Sequence, residues 1–371
     1  MNGTGYAAGV PPVVAEVLRG RASEADVLVE SRIRGTVVGL GPDGTVELSV
    51  GDPGAVISPR STVKPMQAVG MLTAGLDRAF GPGGRGIPPE LLAIVCSSHS
   101  GEPAQLAAVR AVLAAVGRTP ADLACPPDLP LGRLACERHL AAGGGPEPLL
   151  MNCSGKHAGM IACCVASGWP VDGYREPDHP LQRRIRASIE ELVGGPVAGT
   201  AVDGCGAPLF GIPLVGLARG MRRIALAASG PPSPRQRVAA AMRAFPDRVG
   251  GPGRTDTELM LAVPWIIAKD GAEGVSVAAT ASGHAAAVKI EDGSQRAAMP
   301  VLVAALRRLG AFHAPDAANV PDVADLADVA AVADVPGVAV EVDGARLAAI
   351  SVPKVLGGGV EVGRLRAFLA P

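Results

Sequence analysis

Strand-like alternation occupies both ends of the chain and helical spacing its middle, and this order limits the possible folds more than any other feature. Residues 26–50, DVLVESRIRGTVVGLGPDGTVELSV, alternate apolar and polar residues on both sides of GPDG, whose Pro-Asp-Gly order suits a tight turn. An antiparallel hairpin is expected there. From Gly274 the strand signals return in GVSVAATASG, AAAVKIEDG and the alternating GVAVEVDGARLAAISV. Between the two ends, helical spacing runs from Thr62 to about Leu76, with Pro65 in the first turn, and through AQLAAVRAVLAAVG. It continues in NCSGKHAGMIACCVASG, with Asn152 or Ser154 as cap, and in the amphipathic DHPLQRRIRASIEELVG at 178–194. Further helices are expected near 214–220 and 234–245, and one more from about Ala297 to Leu309. ELLAIVC reads as a short buried apolar segment, residues 118–150 as loops with short helices, and TAVDGCGAPLFGIP as an irregular loop.

This order predicts an α/β (α+β) protein with one antiparallel sheet built from both chain ends, flanked by helices, and a largely helical middle part. The expected division is an N-terminal segment 1–25, an α/β part made of 26–60 and 274–371, and a mainly helical part 61–273, joined in one catalytic unit. The 371 residues suffice for a sizeable core. That core must be aliphatic, because 48% of residues are hydrophobic but only 2% aromatic.

A net charge of -1 offers no field to attract nucleic acid or an anionic membrane, and two Tyr with two Trp furnish no base-stacking platform. The N-terminal stretch lacks the basic-then-apolar pattern of a secretory signal, and no run approaches a membrane span, so a cytoplasmic protein is expected. Seven Cys, none in a C-x-x-C pair, signal neither a disulfide framework nor a common zinc module. Cys163 and Cys164 read as reduced core residues.

Three polar clusters stand at element boundaries. In SPRSTVKPMQ, Ser61 and Lys64 lie three apart at a helix start and so share a face. Lys64 can remove the Ser61 proton only if burial or nearby positive charge lowers its pKa, and Arg60 is one source of such charge. The bland alternative is a capping Ser and a solvated Lys. CSSHSGE at 96–102 is a second cluster, in which His99 is either a general base or part of a capping turn. NCSGKHAG is the third: Cys153, Lys156 and His157 crowd a helix start, where the macrodipole lowers thiol pKa. Cys153 is then a nucleophile, a metal ligand with Cys205 from VDGCG, or a capping-loop residue; Lys156 could join a metal only as the neutral amine.

Taken in order, RSTVKPMQA, CSSHSGE, NCSGKHAGM, DGYREPDHPLQ, DGCGAP and VKIEDG resemble the Rhizobium etli-type L-asparaginases, the asparaginase II family, over roughly residues 26–368. The resemblance implies a serine β-lactamase-like fold, in which S-x-x-K is a nucleophile motif. The S-D-N and K-T-G companions of β-lactam chemistry are not visible. Carried over, the family's two Ser-Lys tandems fall on Ser61 with Lys64 and on Ser98 with Lys269, and its zinc ligands on Cys153, Lys156 and Cys205. Arg60, His157 and Asp203 are the implied supporting residues. Asp256, in RTDTELM, stands where the founding member has a further Cys and is a candidate site residue for that reason.

The implied reaction is hydrolysis of the side-chain amide of L-asparagine to L-aspartate and ammonia, with zinc aiding substrate binding, no organic cofactor, no nucleic acid or membrane partner, and a homodimeric assembly. Two rivals remain at this stage. One is a glutaminase or other Ser-Lys amidase, since one methylene separates the substrates; the other is a catalytically silent zinc- or amino-acid-binding protein.

Overall fold

The computed structural model describes residues 9–20, 27–81, 86–313 and 341–369. The Gly-rich residues 82–85 and the acidic stretch at 322–334 lie outside the described residues. Among the described residues, eleven strands fall into two sheets. The larger contains β1 (Val13–Arg19), β2 (Leu28–Leu40), β3 (Val46–Val50), β7 (Ile266–Gly271), β8 (Val275–Thr280), β9 (Ala285–Ile290), β10 (Lys354–Gly357) and β11 (Val360–Ala367). Its order is β10-β11-β1-β2-β9-β8-β7, with β3 also paired to β2, and all these pairings are antiparallel.

Both chain ends therefore meet in one sheet, as the alternation predicts. The sheet nevertheless reaches into segments given other roles by sequence: β1 lies inside 1–25, and β7 inside 61–273. Strand β2 is long enough to serve two neighbourhoods. Its first half pairs with β1, while its second half, Gly35–Leu40, pairs with β9 and, over Val37–Leu40, with β3 as well. Strands β7 and β8 are buried along their whole length, and β9 all but so, which requires cover on both faces. Helices α7 (Leu214–Leu226) and α11 (Ala298–Arg308) pack on β8 and β9.

The helical part is centred on α1 (Lys64–Ala74), packed against α5 (Ser154–Ser167), α6 (Pro180–Val193), α7 and α8 (Pro234–Ala244). Two departures from the sequence expectations lie here. ELLAIVC is helical, forming α2 (Pro89–Val95), because Pro89 can open a helix and an all-apolar run of this length has no period to declare itself. The Gly/Pro-rich segment at 200–213 is a hairpin of β5 (Gly199–Val202) and β6 (Pro208–Pro213), which with β4 (Val56–Ile57) makes the small second sheet. Near the C-terminus, alternation gives way to α12 (Gly344–Ser351), whose start Asp343 caps through the N–H groups of Ala345 and Arg346.

Small residues set the spacing around the site. A Cβ on Gly155 would lie 2.3 Å from the Ile94 carbonyl oxygen, and one on Gly159 2.8 Å from the Val95 side chain. Helix α5 is thereby pressed on α2, which brings the NCSGKH turn beside the CSSHS segment.

Candidate active site

Ser61 sits in a 3₁₀ turn, Arg60–Val63, that leads directly into α1. Arg60 has φ 52°, a left-handed conformation that costs a non-glycine residue energy and so needs support. Its Nε donates to Asp203 Oδ1 at 2.8 Å, across from the β5–β6 hairpin. Gly271, the last residue of β7, closes the other side: a Cβ there would meet Pro59 O at 3.0 Å and Ser61 N at 3.3 Å. The half-buried Ser61 is thus wedged between a strand end and the Arg60–Asp203 pair.

Lys64 is buried, and its Nζ donates to Ser98 Oγ at 2.9 Å and to the Ser97 carbonyl at 2.5 Å. The amine therefore reaches the second tandem's serine rather than Ser61. Burial pulls the Lys64 pKa below the usual lysine value; the Cys153 charge opposes this, and the Lys156 and Lys269 charges reinforce it.

Lys269 comes from β7 and is likewise buried. It makes no hydrogen bond to Ser98. Its Nζ donates to Asp256 Oδ2 at 2.9 Å and to the Asp270 carbonyl at 2.8 Å. Asp256, in the first turn of α10 (Thr255–Ala262), is wholly buried with it. Burial pushes the Asp256 carboxyl up, but the Lys269 charge, then Arg254 and hydrogen bonds, outweigh it and hold the group below the usual range.

The third cluster gathers as the sequence spacing suggests. Lys156 Nζ donates to Cys205 Sγ at 3.0 Å. The neighbouring Cys205 thiol holds Cys153 well below the ordinary thiol value against burial, with help from Lys64 and Lys156, while Cys153 and burial push Cys205 up. Burial disfavours the Lys156 ammonium, yet Cys205, Cys153 and Asp203 together raise its pKa. Among the described residues no group of three or more His, Cys, Asp or Glu is gathered as a metal cage. Two sulfurs and one amine this close nonetheless form a donor set of the kind zinc takes, once Lys156 and both thiols give up their protons.

The two histidines of the clusters are fixed by their partners. Ser154 Oγ donates to Leu149 O, so it accepts from His99 Nε2 at 2.8 Å, which leaves His99 Nδ1 a buried acceptor without a partner. Burial, with the Lys64 charge, pushes the His99 pKa down to about 3, so the ring is neutral. The Ala124 N–H donates to the Tyr174 hydroxyl, whose own proton must then go to His157 Nδ1 at 2.6 Å. His157 accordingly carries its proton on Nε2, a buried donor with no partner among the described residues. Tyr174 and Asp270 were not legible as site residues. Asp270 follows Lys269 directly and is held by Thr255 and Ser276, whose hydroxyls donate to it. Burial, with the Asp256 charge, raises its pKa.

Buried serine and lysine side chains thus meet beside β7, an edge strand of the larger sheet. The chain belongs to the L-asparaginase II family, whose profile matches residues 16–339. It is an asparaginase-type amidohydrolase by that membership. A crystal structure from Bacteroides dorei DSM 17855, provisionally titled a β-lactamase, is similar in broad outline, with 14% identity, a TM-score of 0.40, and coverage of 74% of this chain and 92% of that one. Among curated proteins, none matches the sequence. No helix among the described residues is long and apolar enough to cross a membrane.

Proposed function

We propose that the protein is an L-asparaginase that works through a Ser-Lys nucleophile and an acyl-enzyme. The observation that carries this reading is Lys64: a buried amine with a lowered pKa, one helical turn from Ser61 and bonded to Ser98. An amine in this setting can exist unprotonated near neutral pH and act as a base, which a solvated ammonium cannot. Lys64 takes the Ser61 proton as Ser61 Oγ attacks the amide carbon. The C–N bond then breaks, and ammonia leaves with the proton that Lys64 took from Ser61, passed on through Ser98. Water attacks the ester carbon, releasing aspartate and restoring the Ser61 hydroxyl. Because Lys64 already shares a hydrogen bond with Ser98, the group that takes the first proton adjoins the hydroxyl that passes one to the leaving nitrogen.

Arg60, Asp203 and the unpartnered His157 Nε2–H supply polar groups for orienting an amino-acid substrate. Cys153, Lys156 and Cys205 would hold zinc, which when bound would supply a fixed positive charge for substrate polar groups. Metal analysis checks this: wild type is expected to hold about one zinc per chain, Cys205→Ala to lose it, and the variant's KM to rise. The same reading carries a homodimer, to be checked by light scattering, and a cytoplasmic location.

The deciding experiment is ammonia release from L-asparagine and L-glutamine by wild type beside Ser61→Ala. Release from asparagine that falls by about 10³-fold or more in the variant is the expected result. Full activity in Ser61→Ala would move the nucleophile elsewhere, and an inert wild type would end the asparaginase reading.

A further inference from the structure

The second tandem contains a feature that its Ser-Lys description leaves out. Lys269 does not share its charge with a serine. One of its two hydrogen-bond partners is a carboxylate, Asp256 Oδ2 at 2.9 Å, in an ion pair with both side chains at 0% exposure. The carboxylate is itself anchored: Oδ1 accepts from the Thr257 N–H at 3.0 Å, and Oδ2 also accepts from the Asp270 N–H at 3.3 Å. Its position is therefore set by α10 and β7 together. Lys269 spends a second N–H on the Asp270 carbonyl at 2.8 Å, which leaves one N–H of the ammonium uncommitted.

We infer that Asp256 is a positioning residue that keeps Lys269 as an ammonium aimed by two fixed bonds, so that Lys269 serves the reaction as a proton-holding cation and never as a base. This deepens, and rests on, the asparaginase reading above. A buried ion pair is expensive to break, because removing one partner strands an uncompensated charge in a medium that solvates it poorly. The pairing thus divides the labour between two buried lysines. Lys64, with no carboxylate bonded to it, is free to take a proton; Lys269, with Asp256 beside it, is the amine that keeps one.

Other ionisable groups also face Lys269. Asp270 lies on its own strand, Lys64 on α1, Cys96 at the end of α2, and Arg254 precedes α10 beside Asp256. Of these groups, Asp256 is the one whose carboxylate is hydrogen-bonded to the Lys269 amine. Removing Asp256 must therefore make Lys269 lose its proton at lower pH, and the alkaline limb of kcat must move down with it.

The test has one arm that needs no turnover. Protein labelled with ¹³C and ¹⁵N in lysine has only five side-chain signals, at 64, 156, 269, 289 and 354, and Lys269→Arg identifies the one from Lys269. In wild type that signal is expected to report an ammonium at neutral pH and to lose its proton only along the alkaline limb. In Asp256→Asn it is expected to titrate at least about one pH unit lower. In the second arm, Asp256→Asn is expected to lower kcat by about 10²-fold with KM changed by less than about threefold, to shift the alkaline limb by the same interval, and to regain activity as Asp256→Glu. A neutral Lys269 in the wild-type spectrum overturns the inference without any variant, so an unfolded Asp256→Asn does not shelter it. An unchanged titration or an unchanged alkaline limb in the variant overturns it too. An inert wild type with the expected lysine titration would instead remove the asparaginase reading while leaving the charge assignment standing.

Discussion

Five of the 34 basic residues are lysine, at 64, 156, 269, 289 and 354, and three of those five are buried in the candidate site. Elsewhere the chain uses arginine. The two are not equivalent: a lysine amine can lose its proton inside a protein, whereas a guanidinium stays charged. Lys64→Arg is therefore expected to lower kcat by about 10³-fold while keeping the positive charge, and Lys64→Met to do no better. The sign of the pH dependence follows from the lowered Lys64 pKa. The active form has Lys64 neutral, so kcat falls as the pH is lowered through that pKa, and the depression keeps activity available to lower pH than an ordinary lysine would allow. A kcat–pH profile of wild type checks this, since an acid limb at the ordinary lysine value would contradict it. At this scale the sequence put Ser61, Ser98, Cys153 and Lys156 at helix starts or in short polar turns, where local spacing is informative, and they stand in such places. It could not tell that Lys64 reaches Ser98 or that Lys269 reaches Asp256, because those partners are 34 and 13 residues away and meet only through packing.

Between elements, α5 lies close on α2. Gly155→Ala places a methyl 2.3 Å from the Ile94 carbonyl, a rigid backbone atom, so the helices must part. A loss of about 1–3 kcal/mol is expected, read as a lower midpoint in urea. Ammonia release should fall further than stability alone explains, because Cys153, Lys156 and His157 ride on that helix. Gly271→Ala should act more locally: its methyl meets Pro59 O at 3.0 Å beside Ser61, and kcat is expected to drop with little change in the urea midpoint. Amphipathic helices such as α6 were legible from their periodicity. Helix α2 was not, since its short apolar run, Leu91–Cys96, reads the same as strand or helix. The β5–β6 hairpin was hidden by glycines and prolines that look like loop punctuation, and its strand pairing depends on β4, more than 140 residues earlier.

For the whole molecule, the informative strand is β1, which lies between β11 and β2 and so joins the two chain ends. Deleting residues 1–19 would leave two long strand edges unpaired at once, and the shortened chain is expected to be insoluble or unfolded by circular dichroism. That both ends share a sheet was readable from where the alternation falls; the neighbours were not, because strand order is set by tertiary packing rather than by any local pattern. The distribution of lysines has a consequence for handling the protein. With three amines enclosed, amine-directed reagents find on the described surface only Lys354, on edge strand β10, and Lys289, which is already bonded to the Glu273 and Ile290 carbonyls. Among the lysines, coupling to a bead, a dye or a polymer would thus favour Lys354 on β10, with Lys64, Lys156 and Lys269 out of the reagent's reach.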